Sequence, residues 1–165
     1  MNIVAETPIE LFFDQLRDIH SMEDQLCEAV PPLVSLCTND ELRELIAGHT
    51  RQGARQRAEV SAIFEWHGEA AGDRCKAMAG LIEGGAAHLE GVRSAHSRDL
   101  MMIAHCLRVN YYAMAAYEFT ILLAGRLGLK REVGVLRRFL ADEKKMAMAL
   151  MLLEPGVFET ASRHA

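Results

Sequence analysis

The chain has 165 residues, half of them apolar and a quarter charged, so it is long enough for one globular domain and too hydrophobic to be intrinsically disordered. Its 4 prolines and 9 methionines favour an all-helical protein over a β-sandwich. The net charge of −5 provides no overall basic field, so we predict that the protein does not bind nucleic acid. No apolar run approaches the ~20 residues that cross a membrane, so we also predict that it does not bind a membrane. The N-terminal stretch lacks a basic segment followed by a long apolar one, so we expect no signal peptide and a cytoplasmic location.

The first long helix is predicted to begin at Pro8, directly after Thr7, whose side chain can cap it. It should end near Val30 after about six turns. Pro31 and Pro32 follow, and because proline has no amide N–H and clashes with the preceding turn, we expect them to kink or break the helix. A short continuation should reach about Cys37.

The second long helix is predicted to begin within 38–41, where capping side chains precede first-turn carboxylates, and to end at about His67, before Gly68. A shorter and weaker helix is expected over 75–90. Two consecutive glycines at 84–85 should interrupt it, because glycine disfavours a helix interior.

The third long helix is predicted to cover about 97–127, with Ser97 as its cap. The fourth should cover about 130–154, because Pro155 opposes its continuation. Residues 155–165 are expected to form a loose tail.

The connection lengths predict the topology. The links within the first pair and within the last pair of long helices are short, so each pair should be antiparallel. The link between the two pairs has about 30 residues and can run back along a helix of about 42 Å. We therefore predict one domain over 1–165, a ferritin-like four-helix bundle over about 8–154, with one long crossover that carries a short fifth helix.

Each long helix carries apolar residues at the 3–4 spacing of a buried stripe, and polar residues interrupt each stripe near its middle. The interrupting residues are Glu23, His49, Gln52, Gln56, Asn110 and Glu143. Burying an ionised carboxylate without a partner is costly, so two facing glutamates need a cation, a histidine or a shared proton between them. Without a metal, we expect at least one of these two carboxyl groups to have a pKa well above that of an ordinary glutamate. A nearby tyrosine of 111, 112 or 117 can donate its hydroxyl to one of them.

The same polar residues indicate where a metal would bind. Di-iron bundles use a glutamate from each of two helices and a Glu-x-x-His motif from each of the other two. The match is partial, because no stripe centre contains Glu-x-x-His. The candidate ligands are Glu23, His49, Gln52, Asn110 and Glu143. Three interpretations are open: a metal-free polar layer around buried water, a single weakly bound metal, and a working di-iron or di-manganese centre.

The four cysteines are not spaced as metal ligands or as a redox pair. They are Cys27, Cys37, Cys75 and Cys106, and no pair forms a Cys-x-x-Cys motif. We expect reduced, half-buried thiols, although an even number of cysteines also permits disulfides.

Four segments form an ordered set of motifs along the chain. They are ELFFDQLRDIHSMEDQL at 10–26, CKAMAGLIEGG at 75–85, VNYYAMAAY at 109–117 and LADEK at 140–144. Together they resemble the bacterial YciE/YciF-type ferritin-like stress proteins over about residues 7–154, and the segment at 75–85 is a specific motif of that family.

The resemblance implies a rubrerythrin-like bundle, usually dimeric, that is linked to stress responses. It also implies inward carboxylates at positions 23, 52, 110, 113 and 143 and a histidine at position 49. This chain keeps Glu23, His49 and Glu143. It has Gln52, Asn110 and Ala113 at the other three positions, so the resemblance implies a degenerate di-metal site.

Three functions from different classes follow: a stress-associated bundle that is structural or weakly metal-binding, a di-iron or di-manganese oxidoreductase or metal-storage protein, and a helical interaction module. We predict no catalytic residue, and the sequence identifies no small-molecule substrate. We predict a homodimer, because the short helix carries apolar residues beyond those that one bundle face covers. These residues are Ala77, Met78, Leu81, Ile82 and Leu89.

Overall fold

The computed structural model describes residues 5–164 and contains five helices within that range. They are α1 (Pro8–Val34), α2 (Asp40–His67), α3 (Lys76–Gly91), α4 (Ala95–Arg126) and α5 (Lys130–Arg163). No strand occurs between residues 5 and 164, and the predicted all-α class is confirmed.

Helices α1, α2, α5 and α4 form a closed ring in which each packs against two neighbours. In the first pair, Phe13 contacts His67 while Asp24 pairs with Arg57, so α1 and α2 run antiparallel. Helix α3 lies outside the ring against α1 and α4, and it carries the chain from the first pair to the second. This arrangement is the predicted ferritin-like bundle with one long crossover.

Local capping defines the predicted ends of α1 and α2. At the start of α1, the backbone N–H of Glu10 donates to Thr7 Oγ1 at 3.3 Å, and the N–H of Thr7 donates to the Glu10 carboxylate at 2.9 Å. At the start of α2, Asn39 Oδ1 accepts from the N–H of Leu42 at 2.8 Å. Helix α2 ends at Gly68, whose φ of +68° is the left-handed conformation that glycine adopts most easily.

Pro31 and Pro32 do not break α1, so the alternative of a break is wrong. The helix continues to Val34, and both prolines lie exposed in its last turn. Water can therefore hydrate the carbonyl groups that lose an N–H donor, and the fixed φ of proline is compatible with a helix. Near an exposed helix end, the missing hydrogen bonds cost less than they would in a buried interior.

The predicted loose tail is also wrong, because α5 continues through Pro155 to Arg163. Val157 belongs to the apolar cluster that contains Leu42, and Ala161 is buried as well. Burying a valine side chain stabilises by roughly 1.5–3 kcal/mol, which offsets much of the ~3 kcal/mol that a proline costs inside a helix.

Two smaller differences concern the crossover. Helix α3 is not interrupted, and Gly85 instead allows close packing, since a Cβ there would lie 1.9 Å from the His105 ring of α4. The cap of α4 is Ser94 rather than Ser97, because Ser94 Oγ accepts from the N–H of Ser97 at 3.3 Å. The helix therefore begins about two residues earlier than predicted.

Two apolar clusters fill the bundle on either side of its centre. One contains Phe12, Leu16 and Phe139, and the other contains Ile46 and Leu150. Glu23, His49, Asn110 and Glu143 border both clusters, because they line one cavity together with Val109 of the first cluster and Ile46 of the second. Of the helices described above, none is long and apolar enough to cross a membrane.

Candidate functional site

The polar layer at the bundle centre receives side chains from all four ring helices. Glu23 comes from α1, His49 from α2, Asn110 and Tyr117 from α4, and Glu143 from α5. All of them except the half-buried His49 are buried. The structure therefore brings together four of the five predicted candidate ligands.

Glu23 is a buried carboxyl group with one strong donor. Tyr117 Oη donates to Glu23 Oε1 at 2.6 Å, as the sequence predicted for one of the tyrosines. On the other side, Gly53 of α2 packs so closely that a Cβ there would lie 2.6 Å from Glu23 Oε2. Desolvation by burial and the nearby charge of Glu143 raise the pKa of Glu23 to about 7, despite the opposing effects of Tyr117 and His49. The increase in the pKa of Glu23 has the predicted direction.

Glu143 has better partners than Glu23. His49 Nε2 lies 3.3 Å from Glu143 Oε2, and Asn110 Nδ2 donates to the same oxygen. Burial alone lowers the pKa of His49, but the hydrogen bond and charge of Glu143 outweigh burial and hold this pKa above its usual value. The contact with Glu143 therefore favours the charged form of His49.

The two glutamines of α2 differ. Gln56 is buried, and its Nε2 donates to Asp142 Oδ2 of α5 at 3.4 Å. Gln52 is half-buried and is not among the residues that line the space beside Glu23. The structure does not bring Gln52 into the layer, and Gly53 contacts Glu23 instead.

A cavity of about 60 Å³ adjoins the layer. Its wall is mostly apolar and includes Leu26, Val30, Ile46, Val109 and Met146. Glu23, His49, Asn110 and Glu143 form its polar end. Asn110 Oδ1 is fully buried and has no hydrogen-bond partner within residues 5–164. The polar end thus presents an acceptor that lacks a donor.

Comparison with known proteins identifies the family. The family described as Domain of unknown function (DUF892) matches residues 7–162 of this chain. The chain belongs to this family. It is 28% identical over 137 residues to protein YciF from Escherichia coli, an alignment that covers 82% of each protein.

Solved structures share the fold over nearly the whole chain. The E. coli stress protein YciF has a TM-score of 0.89 at 26% identity, over 94% of this chain and 99% of that one. YcfI from Rhodopseudomonas palustris has a TM-score of 0.86 at 26% identity, over 91% and 96%. The Xanthomonas campestris protein XCC3681, with a TM-score of 0.76 at 15% identity over 95% and 97%, supports the fold alone. The resemblance noted from the sequence motifs is confirmed.

The residues of the polar layer do not fit a di-metal centre. Di-iron bundles use about four carboxylates, whereas this layer has two, and His49 already contacts Glu143. Asn110 and Ala113 leave α4 without a carboxylate at this level. Over residues 5–164, no group of three or more His, Cys, Asp or Glu side chains is arranged to hold a metal ion.

The cysteines are free thiols, as predicted. Cys27 and Cys106 line the cavity. Burial raises the pKa of Cys106 to about 12 and also raises the pKa of Cys27. Because the thiolate is the nucleophile, neither side chain is activated for covalent chemistry near neutral pH.

Sequence reasoning missed Gly53 and Asp142. Gly53 lies one turn after His49 on the inward face, and a glycine inside a long helix signals close approach by a neighbouring group. Asp142 precedes Glu143 and is half-buried, and no local pattern distinguishes it from an exposed carboxylate. Its interaction with Gln56 depends on contact between α2 and α5.

Proposed function

We propose that the protein is a stress-associated helical bundle whose central polar layer is a degenerate di-metal site, with a structural role or at most weak binding of a single metal. The family, and the similarity to YciF, which is described as a stress protein, support the stress association. The similarity to YcfI, for which a structural role has been suggested, supports the structural role. The observation that carries the proposal is the set of side chains in the layer: it has two carboxylates, Glu23 and Glu143, and His49 lies 3.3 Å from the second of them.

A double replacement tests the degenerate site. Glu23→Gln combined with Glu143→Gln removes both core carboxylates while keeping their shape. We expect the shift in melting temperature to be the same in Mn²⁺, in Fe²⁺ under argon and in excess chelator, since ligand binding is what would make stability depend on metal. A stabilisation of the wild type by metal that the double variant lacks would instead support the metal-storage or oxidoreductase function.

The proposal includes a cytoplasmic homodimer that assembles through α5. Lys145, Leu152 and Glu159 recur every seven residues on an exposed stripe of this helix, and Leu152 is 76% exposed. The neighbouring stripe carries Met151 and Phe158, which are also exposed. If α5 of a second copy packs antiparallel about a two-fold axis at Leu152, Lys145 faces Glu159 of that copy, so the surface is self-complementary.

The sequence assigned the unpaired apolar face to the short helix, and that reasoning is wrong. Met78 and Leu89 of α3 are buried within the chain itself, and Leu81 and Ile82 pack against its core. Large exposed apolar side chains lie on α5 and also on α4, where Tyr111, Phe119 and Leu122 are exposed, and the proposed dimer uses those of α5.

Light scattering tests the dimer. We expect a mass of twice 18.4 kDa for the wild type and a monomer for Leu152→Glu. Lys145→Glu should weaken association, and adding Glu159→Lys should restore it. A wild-type monomer at micromolar concentration would contradict this part of the proposal.

A further inference from the structure

Two histidines meet where the end of α5 reaches the starts of α2 and α4. His96 lies in the first turn of α4, and His164 directly follows α5. Their imidazole rings stack with their centroids 4.2 Å apart and their planes tilted by 39°. His96 is half-buried and His164 is exposed, so an ion in solution can reach the pair without entering the bundle core.

The hydrogen bonds of each ring decide which of its nitrogens carries the proton. The hydroxyl of Thr38 has one hydrogen, which it donates to Asp99 Oδ2, so Thr38 Oγ1 accepts from His96 Nδ1 at 3.3 Å. His164 Nδ1 lies 2.9 Å from the carbonyl oxygen of Thr160, which is an acceptor as well. Both rings therefore carry a proton on Nδ1, and each ring in its neutral form keeps a free lone pair on Nε2.

Metal-binding histidines in proteins have this hydrogen-bond arrangement. A ligand histidine donates its second ring N–H to a carboxylate, a backbone carbonyl or water, and this contact fixes the tautomer and the direction of the ring. His164 donates to a carbonyl, and His96 donates to a hydroxyl that is itself bonded to the carboxylate of Asp99. Both rings are thus held in the form that binds a metal.

The spacing of the rings indicates the kind of ion. With metal–nitrogen bonds of about 2.0–2.1 Å, two imidazoles bound at a right angle have ring centres about 4.4 Å apart, and two bound at the tetrahedral angle have centres about 5.1 Å apart. The observed separation of 4.2 Å is nearer to the first value. Square or tetragonal coordination by nitrogen and oxygen is typical of Ni²⁺ and Cu²⁺, whereas protein-bound zinc is mostly tetrahedral.

We propose that His96 and His164 bind one Ni²⁺ or Cu²⁺ ion through their Nε2 atoms, with water as the remaining ligands. A cavity of about 250 Å³ borders His96 and has room for these waters, each of which occupies about 30 Å³. Asp40 borders the same cavity, but its carboxylate is paired with Arg43, so we assign two protein ligands to the ion. Two ligands are consistent with the finding that, over residues 5–164, no group of three or more such side chains is arranged to hold a metal.

Calorimetric titration of the untagged full-length protein with NiCl₂ at pH 8 tests the proposal. We expect saturable binding of one equivalent per chain. The two ligands come together only in the folded chain, so Ni²⁺ should also raise the melting temperature, and excess chelator should remove this increase. Mn²⁺, which nitrogen ligands bind most weakly in this series, should bind at least about tenfold more weakly than Ni²⁺.

Two ligand variants and a matched control locate the site. His96→Gln and His164→Gln each remove one ligand, and we expect the affinity for Ni²⁺ to fall at least about tenfold, because losing even an outer partner of a ligand costs about 10–100-fold. His88→Gln changes an exposed histidine of α3 and should leave the affinity unchanged.

A positioning variant tests the role of the hydrogen bond to His96. Thr38→Val removes the acceptor of the His96 Nδ1–H and keeps both ligands, and we expect it to weaken Ni²⁺ binding. NMR of the imidazole nitrogens without metal should find the proton of neutral His96 on Nδ1 in the wild type, and this preference should be lost in Thr38→Val.

The outcomes separate this inference from the proposed function, which concerns the central layer. Absence of saturable Ni²⁺ binding, or a neutral wild-type ring with its proton on Nε2, would overturn the inference alone. Unchanged affinity in His96→Gln or His164→Gln would place the ion elsewhere and would also overturn it. Ni²⁺ binding that is lost only when Glu23→Gln is combined with Glu143→Gln would place the ion in the central layer and would contradict the proposed function as well.

Discussion

Two buried carboxylates of similar exposure have very different surroundings. Asp99 of α4 is 2% exposed and Glu23 of α1 is 4% exposed. Asp99 accepts from the backbone N–H groups of Thr38 and Asn39, each at 2.9 Å, and also from the Thr38 hydroxyl. Glu23 accepts from one tyrosine hydroxyl and faces the charge of another glutamate.

The difference shows that burial alone does not identify a functional carboxylate. Asp99 provides acceptors for the start of α2, where the first N–H groups lack partners within the helix, and it thereby links α4 to α2. Glu23 receives too few donors for its charge and borders a cavity. The number of donors therefore separates a carboxylate whose hydrogen-bonding capacity the fold satisfies from one whose capacity it leaves partly unsatisfied.

The largest effect is expected for Asp99→Ala, which leaves two backbone N–H groups and a hydroxyl at the start of α2 without their acceptor. We expect a loss of about 3 kcal/mol in the free energy of unfolding, since each hydrogen bond to a charged group contributes about 1.5–3 kcal/mol and water replaces part of this at the exposed Thr38. Urea denaturation measures this loss. Asp40→Ala, an exposed change at the same helix start, is the control and should stay within about 0.5 kcal/mol of the wild type. Equal effects of the two variants would contradict the structural role of Asp99.

The second prediction concerns pH. The pKa of Glu23 in the folded protein is about 7, above its usual value of 4.5, so the folded state binds this proton more tightly than the unfolded state does. The resulting stabilisation is complete below pH 4.5 and is lost as the pH rises through 7. At about 1.4 kcal/mol per unit of pH, the loss reaches about 3 kcal/mol by pH 8. His49, whose pKa is also raised, contributes in the same direction.

Glu23→Gln removes this titrating group, so its stability should fall less between pH 5 and pH 8 than that of the wild type. Chemical unfolding at the two pH values measures the difference. The same change at Glu118, which is exposed, should leave the pH profile of the wild type unaltered. A Glu23→Gln profile parallel to that of the wild type would show that Glu23 ionises normally.

The smallest effect is expected for Tyr117→Phe, which removes the one strong donor to Glu23 and keeps the aromatic packing against Phe139. We expect destabilisation by about 1–2 kcal/mol at pH 8, where Glu23 is ionised, because a hydrogen bond to a charged group contributes about 1.5–3 kcal/mol. The effect should be smaller at pH 5, where the carboxyl group is protonated. Thermal unfolding at both pH values measures the two effects. A larger destabilisation at pH 5 would contradict the assignment of Tyr117 as a donor that stabilises the ionised form of Glu23.

The central layer could be predicted because its signal is local to each helix. A polar residue such as Glu23 or Glu143 on an apolar 3–4 stripe must point inward, whatever the neighbouring helix contains. The centres of the four stripes then lie at a similar level once the crossover fixes the topology. The convergence of Glu23 with Glu143 therefore followed from periodicity and connection lengths.

The role of Asp99 could not be predicted in this way, because its partners lie about 60 residues away and depend on how α4 meets the start of α2. An acidic residue in the early part of a helix ordinarily indicates a favourable interaction with the helix dipole at the surface.

The wrong prediction of a helix end at a proline has a similar origin. Intrinsic propensity ends a helix at Pro155, but the burial of Val157 beyond it depends on tertiary contact with the cluster that contains Leu42.

The metal content of protein purified without chelator and incubated with Fe²⁺ or Mn²⁺ tests the central claim most directly. A double variant, Asn110→Glu with Ala113→Glu, restores carboxylates at the two buried positions of α4 that the resemblance marks as lost and serves as the positive control. After buffer exchange, elemental analysis should find less than one equivalent of metal per wild-type chain and more in the double variant. Two equivalents retained by the wild type would contradict a degenerate site.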